Sequence, residues 1–161
     1  MVGDVALELG ISGMATIQVT HEITAYSQGT GDAEVLSTPA LLQVMQQATM
    51  DALEGNLPKG TITAGLRINL DHLIGIEVGA TVHAAATLTR MEGRRLIFES
   101  EAKSGEDLIG VGRIIRVMID EETFLTRLSR PIAHPDFAMY SDFFRSGLDS
   151  QCGDDLRYRD R

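Results

Sequence analysis

The fold is decided by the stretch STPALLQVMQQATMDALE, residues 37–54. Its apolar side chains recur at the spacing of one face of an amphipathic helix. A hydroxyl residue followed by Pro39 marks the start, because proline suits the first helical turn, where its missing N–H costs nothing. Gly55 follows the last helical position, where a left-handed cap is expected. The apolar stripe consists of Leu41, Met45, Ala48 and Ala52, widened by Leu42 and Leu53.

Gln46 is the residue of this helix that needs an explanation. At helical spacing it shares a face with Leu42, Thr49 and Leu53, so it is expected to point toward apolar surroundings. A buried amide requires hydrogen-bond partners. Either backbone groups satisfy this amide, or it has a chemical role.

Length and composition favour one soluble domain. The chain has 161 residues, an apolar fraction of 43% and a formal charge of −9. Such acidity argues against nucleic acid as a partner, since that partner requires a basic face. No apolar run reaches membrane-spanning length, no signal peptide is visible, and the single cysteine, Cys152, fits a reducing compartment. We therefore predict a cytoplasmic protein that does not bind membranes.

Five segments alternate in the period of two that indicates strands. Four of them follow the helix at spacings of about ten residues, as in an antiparallel meander. In the second segment, Ile62, Ala64, Leu66, Ile68, Leu70 and His72 are expected on one face. This order predicts an α+β fold, with one face of the sheet packed on the helix. The segments are residues 15–20, 62–72, 80–90, 95–103 and 108–119.

The pattern ends near Leu128, which divides the chain. We predict a domain at residues 1–127 and a partly disordered C-terminal extension at 128–161. Aromatic residues of the extension are expected to dock on the domain or on a partner. They are Phe137, Tyr140, Phe143 and Phe144.

Of the four histidines, His72 stands out because it ends an apolar strand face. His21 and His83 fit surface positions, and His134 lies in the extension. No group of His, Cys, Asp and Glu has the spacing of metal ligands, so no metal is expected. A serine hydrolase is also not indicated, because no Gly-x-Ser-x-Gly motif is present. By pattern alone, His72 fits a structural role as well as a chemical one.

Four motifs carry a resemblance to a known family. They are VLSTPAL at residues 35–41, NLDHL at 69–73, EGRRL at 92–96, and IGVG at 109–112 leading to Arg116. Together and in this order they resemble the hotdog-fold thioesterases, specifically the family that includes fluoroacetyl-CoA thioesterase. The resemblance covers residues 8–127 and leaves the extension unmatched.

The resemblance implies a hotdog fold, in which an antiparallel sheet of about five strands wraps a long helix. It also implies a homodimer, or a dimer of dimers, whose shared cleft binds an acyl-CoA. It places the family's active-site hydroxyl on Thr38, its histidine on His72, its backbone contact to the thioester on Gly65 and its arginine on Arg116. The family's catalytic carboxylate falls on Gln46, where this chain has an amide.

Chemistry gives these positions their roles. Thioester hydrolysis needs a base or nucleophile and a stabilised oxyanion. We expect His72 to act as general base, Thr38 and Gln46 to position water and thioester, and Gly65 and Arg116 to bind substrate, with CoA present as part of the substrate and no cofactor. Thr38 can instead be a nucleophile or cap the helix, and Arg116 can pair with a carboxylate of the sheet. The N–H groups and dipole at the helix start would favour an oxyanion.

Three functions follow from these roles. The first is acyl-CoA hydrolysis. The second, suggested by Gln46, is an acyl-CoA-binding or regulatory protein with weakened chemistry. The third is hydration of an enoyl thioester, since hotdog folds host several reactions.

Overall fold

A computed structural model describes residues 7–129 of the chain. Five strands form one antiparallel sheet in the order β1-β3-β4-β5-β2. The long helix α2 packs on this sheet, which confirms the α+β class, the central helix and the five strands. In chain order the elements are β1 Ser12–Gln18, a 3₁₀ turn His21–Ile23, α1 Ala25–Gln28, α2 Thr38–Leu53, β2 Thr61–His72, β3 Thr81–Glu92, β4 Arg95–Ser104, β5 Asp107–Asp120 and α3 Glu121–Leu128.

Helix α2 begins one residue earlier than a cap at Thr38 would require. Ser37 is the N-cap, and its Oγ accepts a hydrogen bond from the Ala40 N–H at 3.1 Å. The capping role considered for Thr38 is therefore wrong, because Thr38 is already helical and its hydroxyl is free for another partner. At the other end, Gly55 has a φ of +72°, which confirms the left-handed cap.

The buried face of α2 agrees with the predicted stripe except at one position. Leu41, Met45, Ala48, Ala52 and Leu53 are buried as expected, whereas Leu42 is half-buried. Val44 joins the buried set and Leu42 turns toward the edge of the helix–sheet contact. The exposed side of Leu42 contributes to the candidate site below.

Strand β1 approaches α2 more closely than any side chain would permit. A Cβ at Gly13 would overlap the Ala52 backbone nitrogen and the Ala48 carbonyl oxygen. Next to it, the Met14 N–H donates to the Asp51 carboxylate at 2.8 Å. The strand predicted at residues 15–20 is therefore shifted to Ser12–Gln18. It begins earlier because Gly13 makes backbone contacts that leave no apolar pattern in the sequence. It ends earlier because Thr20 is the N-cap of the following 3₁₀ turn.

Strand β2 contains a β-bulge that reverses its faces. The pairing with β5 skips Leu66 between Gly65 and Arg67. A bulge puts two residues opposite one and so shifts the alternation. The single face predicted for residues 62–72 is thus wrong in its first half: Thr63 and Gly65 face α2 before the bulge, and Ile68 and Leu70 face the core after it.

The β3–β4 hairpin agrees with the sequence. Val82, Ala84, Ala86 and Leu88 are each at most 1% exposed, and the turn after Glu92 contains Gly93 with a φ of +57°. The sheet thereby presents one continuous apolar face to α2, which forms the core.

The chain divides into two units, with the boundary between Leu125 and Thr126. Helix α3 was not predicted, although Asp120 Oδ1 accepts the Thr123 N–H at 2.8 Å in the manner of an N-cap. The predicted boundary at residue 127, the disorder of the extension, His134 and the docking of its aromatic residues depend on residues outside 7–129, and they stay predictions.

Candidate active site

The candidate site follows the line along which α2 and β2 lie side by side in opposite directions. The start of α2 meets the end of β2, where Thr38 contacts His72. In the middle of the helix, Gln46 lies beside Gly65, and further along Met50 lies beside Thr63. Residues that are distant in sequence are thus ordered along one groove.

Thr38 and His72 form a direct pair. Thr38 Oγ1 lies 2.9 Å from His72 Nδ1, with the hydroxyl exposed and the imidazole half-buried. If His72 Nδ1 carries the proton, it donates to the Thr38 hydroxyl and leaves Nε2 as the basic nitrogen. If it does not, Thr38 donates and is polarised as a nucleophile. Both tautomers are chemically useful.

His72 Nε2 is buried and has no hydrogen-bond partner within residues 7–129. An unsatisfied buried polar atom costs roughly 1–3 kcal/mol, so it is rarely retained for structure alone. His21 and His83, in contrast, are exposed, as predicted. His72 is therefore the histidine suited to exchange a proton with a bound molecule.

The start of α2 offers fewer N–H donors than the sequence suggested. Pro39 has none, and the N–H groups of Ala40 and Leu41 both donate to Ser37. The helix dipole still favours negative charge here. An oxyanion at this point would have the Thr38 N–H, not a full set of helix donors.

Gln46 is half-buried and lies against strand β2. A Cβ placed on Gly65 would be 3.1 Å from Gln46 Oε1, closer than most real contacts. Glycine at 65 therefore lets the amide approach the strand backbone. Within residues 7–129 no hydrogen bond joins the Gln46 side chain to Thr38 or His72. Eight residues separate Gln46 from Thr38, which is about 12 Å along a helix.

Arg116 of β5 is buried, with 6% of its surface exposed, and it bonds to neutral groups. Its Nε donates to Thr63 Oγ1 at 2.9 Å, one terminal nitrogen to the Thr63 carbonyl at 3.3 Å, and the other to Thr49 Oγ1 at 3.4 Å. Burial lowers the pKa of the Arg116 guanidinium because desolvation penalises its charged form. The alternative that Arg116 pairs with a carboxylate of the sheet is wrong for the described part of the chain.

A cavity of about 350 Å³ is lined by both Gln46 and Arg116. The structure thus brings Gln46, Gly65 and Arg116 into one neighbourhood, and Thr38 and His72 into another. Thr49 and Thr63, which hold Arg116, were not singled out from the sequence because threonines on different elements give no common pattern. The cavity is lined by Pro39, Leu42, Gln43, Gln46, Gln47, Met50 and Arg116.

Two further observations concern metals and membranes. Among residues 7–129, no group of three or more His, Cys, Asp and Glu side chains is arranged to hold a metal ion. None of the helices in that range is long and apolar enough to cross a membrane.

Comparison of the sequence with known proteins identifies a family. Residues 19–122 match the family described as fluoroacetyl-CoA-specific thioesterase. Fluoroacetyl-CoA thioesterase of Streptantibioticus cattleyicolor is 34% identical over 91 residues, which are 56% of this chain and 66% of that protein, just under two thirds of its length.

Solved structures agree in fold. A mutant of the fluoroacetyl-CoA thioesterase in complex with acetyl-CoA has a TM-score of 0.68 at 26% identity, covering 75% of this chain and 96% of that one. A hot-dog-like protein from Thermanaerovibrio acidaminovorans has a TM-score of 0.70 at 23% identity, covering 80% and 95%. The fold is thus the predicted hotdog fold.

The family match covers more than half of the chain, and it includes Thr38, Gln46, Gly65, His72 and Arg116. It confirms the resemblance drawn from the sequence motifs and the predicted class of protein, the thioester hydrolases. The chain belongs to the fluoroacetyl-CoA-specific thioesterase family of hotdog proteins.

Proposed function

We propose that this protein hydrolyses an acyl-CoA thioester, with His72 as general base and Thr38 and Gln46 positioning water and thioester. The observation that carries the proposal is the bond of 2.9 Å between Thr38 Oγ1 and His72 Nδ1. The buried, unpartnered Nε2 of the same ring supports it. One imidazole nitrogen is then held by the protein while the other is available to the reaction.

In this mechanism His72 removes a proton from a water molecule that attacks the thioester carbonyl carbon. The carbon–sulfur bond breaks, the acyl group leaves as a carboxylic acid, and the CoA thiolate receives the proton from His72. Thr38 keeps the imidazole oriented through its hydroxyl. Gly65 and Arg116 bind substrate, and Gln46 can hold a water or donate to a carbonyl but cannot take a proton. No cofactor takes part.

We further propose that the working unit is a homodimer, or a dimer of dimers, with the substrate cleft shared between protomers. Within one protomer Thr38 and Gln46 lie about 12 Å apart along α2, too far to hold the same small group. A shared cleft would let Gln46 of one protomer act with the Thr38–His72 pair of the other. The cytoplasmic location remains a proposal based on the sequence.

The test is release of free thiol from a panel of short- and medium-chain acyl-CoAs by the purified protein. We expect turnover well above the spontaneous rate for at least one of them. Binding of the same thioesters without any hydrolysis would reject the enzyme. It would favour the second candidate, an acyl-CoA-binding or regulatory protein, which the amide at Gln46 specifically suggests.

Replacing Gln46 by glutamate is expected to raise kcat by roughly 10- to 100-fold, because a carboxylate can accept a proton from water whereas an amide cannot. A well-placed base contributes about 10²–10⁴, and His72 already supplies part of this. Steady-state thiol release with an acyl-CoA whose acyl group is uncharged measures the change.

Gln18→Glu is the matched control, since it makes the same charge change at an exposed position of β1. It should leave kcat unchanged. If Gln46→Glu has no higher kcat than the wild type, Gln46 does not occupy the position of a missing base.

A further inference from the structure

Arg116 is a buried cation for which residues 7–129 provide no carboxylate. Its three hydrogen bonds go to two threonine hydroxyls and one carbonyl, all of them neutral. Each bond uses one donor on a different nitrogen, and a guanidinium has five donors. One donor on each terminal nitrogen is therefore left over, which is the number that a carboxylate takes in a two-bond pair.

The cavity next to Arg116 has the character of a site for a chain that ends in a negative charge. Pro39, Leu42 and Met50 supply apolar walls, and three glutamine amides supply neutral polar groups. Among the lining residues within 7–129, Arg116 is the single ionisable side chain, so this part of the lining carries a net charge of +1. A buried charge without a counter-charge is costly, and a bound anion removes that cost.

From this geometry we propose that the preferred substrates carry a carboxylate at the far end of the acyl group, with the Arg116 guanidinium as its ligand. The proposal rests on the proposed thioesterase function and adds the class of acyl group. The ω-carboxyl group would pair with the two remaining Arg116 donors. The methylene groups of the acyl chain would lie against Leu42 and Met50.

Gln46 matters to this preference because of its neutrality. Its amide lies beside Gly65, which is paired directly with Arg116 across β2 and β5. A carboxylate at position 46 would compete with the substrate for Arg116. An amide leaves the positive charge of Arg116 available to the substrate. The replacement of the family's carboxylate by Gln46 therefore also selects the acyl group.

The first test compares kcat/KM for acyl-CoAs that match in length but differ in the terminal carboxylate. Succinyl-CoA is compared with butyryl-CoA and glutaryl-CoA with pentanoyl-CoA, and the series continues to ten carbons so that a range of distances between thioester and carboxylate is sampled. We expect a preference of about 10- to 100-fold for the carboxylated member at one length or more, the range of a charge-assisted hydrogen bond. Hydrolysis of neutral acyl-CoAs with no such preference at any length would overturn this inference but leave the thioesterase proposal intact.

Variants of Arg116 identify the group responsible. Arg116→Met should reduce the preference to about one, and Arg116→Lys, which keeps the charge but loses the two-bond geometry, should give an intermediate value. The matched control is Arg113→Met, an exposed arginine of the same strand that pairs with Glu99 at 2.8 Å. The ratio of two substrates in one sample does not depend on the fraction of folded protein, so partial destabilisation does not obscure the result.

Two further measurements separate the remaining possibilities. Pantetheine thioesters lack the nucleotide phosphates, so a preference that persists with them belongs to the acyl carboxylate. If Arg116 instead binds a CoA phosphate, Arg116→Met should lower kcat/KM equally for both members of a CoA pair and leave the pantetheine thioesters unaffected, which would overturn the inference. If no thioester is hydrolysed, calorimetry measures the affinities of carboxyalkyl-CoA and alkyl-CoA thioethers instead. Equal affinities would count against the carboxylate site. Gln46→Glu should weaken the preference in either assay.

Discussion

Replacing His72 by alanine is expected to lower kcat for acyl-CoA hydrolysis by about 10²–10⁴-fold, the contribution of a positioned general base. The variant removes both the nitrogen that bonds Thr38 at 2.9 Å and the buried Nε2 without a partner. Steady-state thiol release with the best substrate of the panel measures the loss. Added imidazole should restore part of the rate, because the cavity left by the ring can admit it.

His72→Asn separates orientation from proton transfer. Its amide can still bond Thr38 near the former position of Nδ1 but cannot act as a base, so its kcat should be nearly as low as that of the alanine variant. If the role of His72 were merely structural, His72→Asn would keep most of the activity.

The chain also provides a matched control at a second Thr–His pair. Thr16 Oγ1 lies 2.9 Å from His83 Nδ1 on the exposed side of β1 and β3. His83→Ala removes the same kind of bond far from the groove and should leave kcat unchanged. Full activity in His72→Ala, with His83→Ala as the reference, would remove His72 from the mechanism.

The main elements of the fold could be predicted because periodic burial leaves a clear pattern. Helix α2 is apolar on one face, and β3 alternates strictly between Val82 and Leu88, so each was placed within two residues. The bulge at Leu66 could not be foreseen. Its neighbours alternate without interruption in sequence, and the reversal of faces appears only in the pairing of β2 with β5.

Part of the candidate site could likewise be predicted from the sequence, and part could not. The motifs named Thr38 and His72, and the structure places their side chains in contact. The surroundings of Arg116 were not accessible in the same way, because its partners Thr49 and Thr63 come from α2 and β2. Whether a buried arginine has a carboxylate or a hydroxyl partner depends on through-space packing, which no spacing in the sequence encodes. That difference decides whether its charge is available to a substrate.

Gly13 is the position at which a small change should damage the fold most. Gly13 precedes the strand predicted at residues 15–20, yet it lies where β1 meets the backbone of α2. A methyl group there would overlap Ala52 N and Ala48 O and would lie 2.8 Å from Ala52 Cα. Backbone atoms inside a helix cannot rotate away as a side chain can, so β1 and α2 must separate.

Gly13→Ala is therefore expected to lower the free energy of unfolding by about 3 kcal/mol or more, the upper part of the range for overpacking. For a chain of this size the midpoint of thermal unfolding should fall by roughly 6–12 °C. Urea denaturation followed by circular dichroism measures the free energy, and thermal unfolding gives the midpoint.

Gly75→Ala is the matched control, because its new methyl group would meet only Val35 side-chain atoms at 3.5 Å or more, an ordinary contact. It should change the free energy of unfolding by less than about 1 kcal/mol in either direction. If Gly13→Ala is as stable as Gly75→Ala, the close approach of β1 to α2 does not exist in solution. If it is destabilised as expected, the folded fraction should also lose hydrolysis, since α2 carries Thr38 and Gln46 on the side that faces β2 and cannot move from β1 without displacing them.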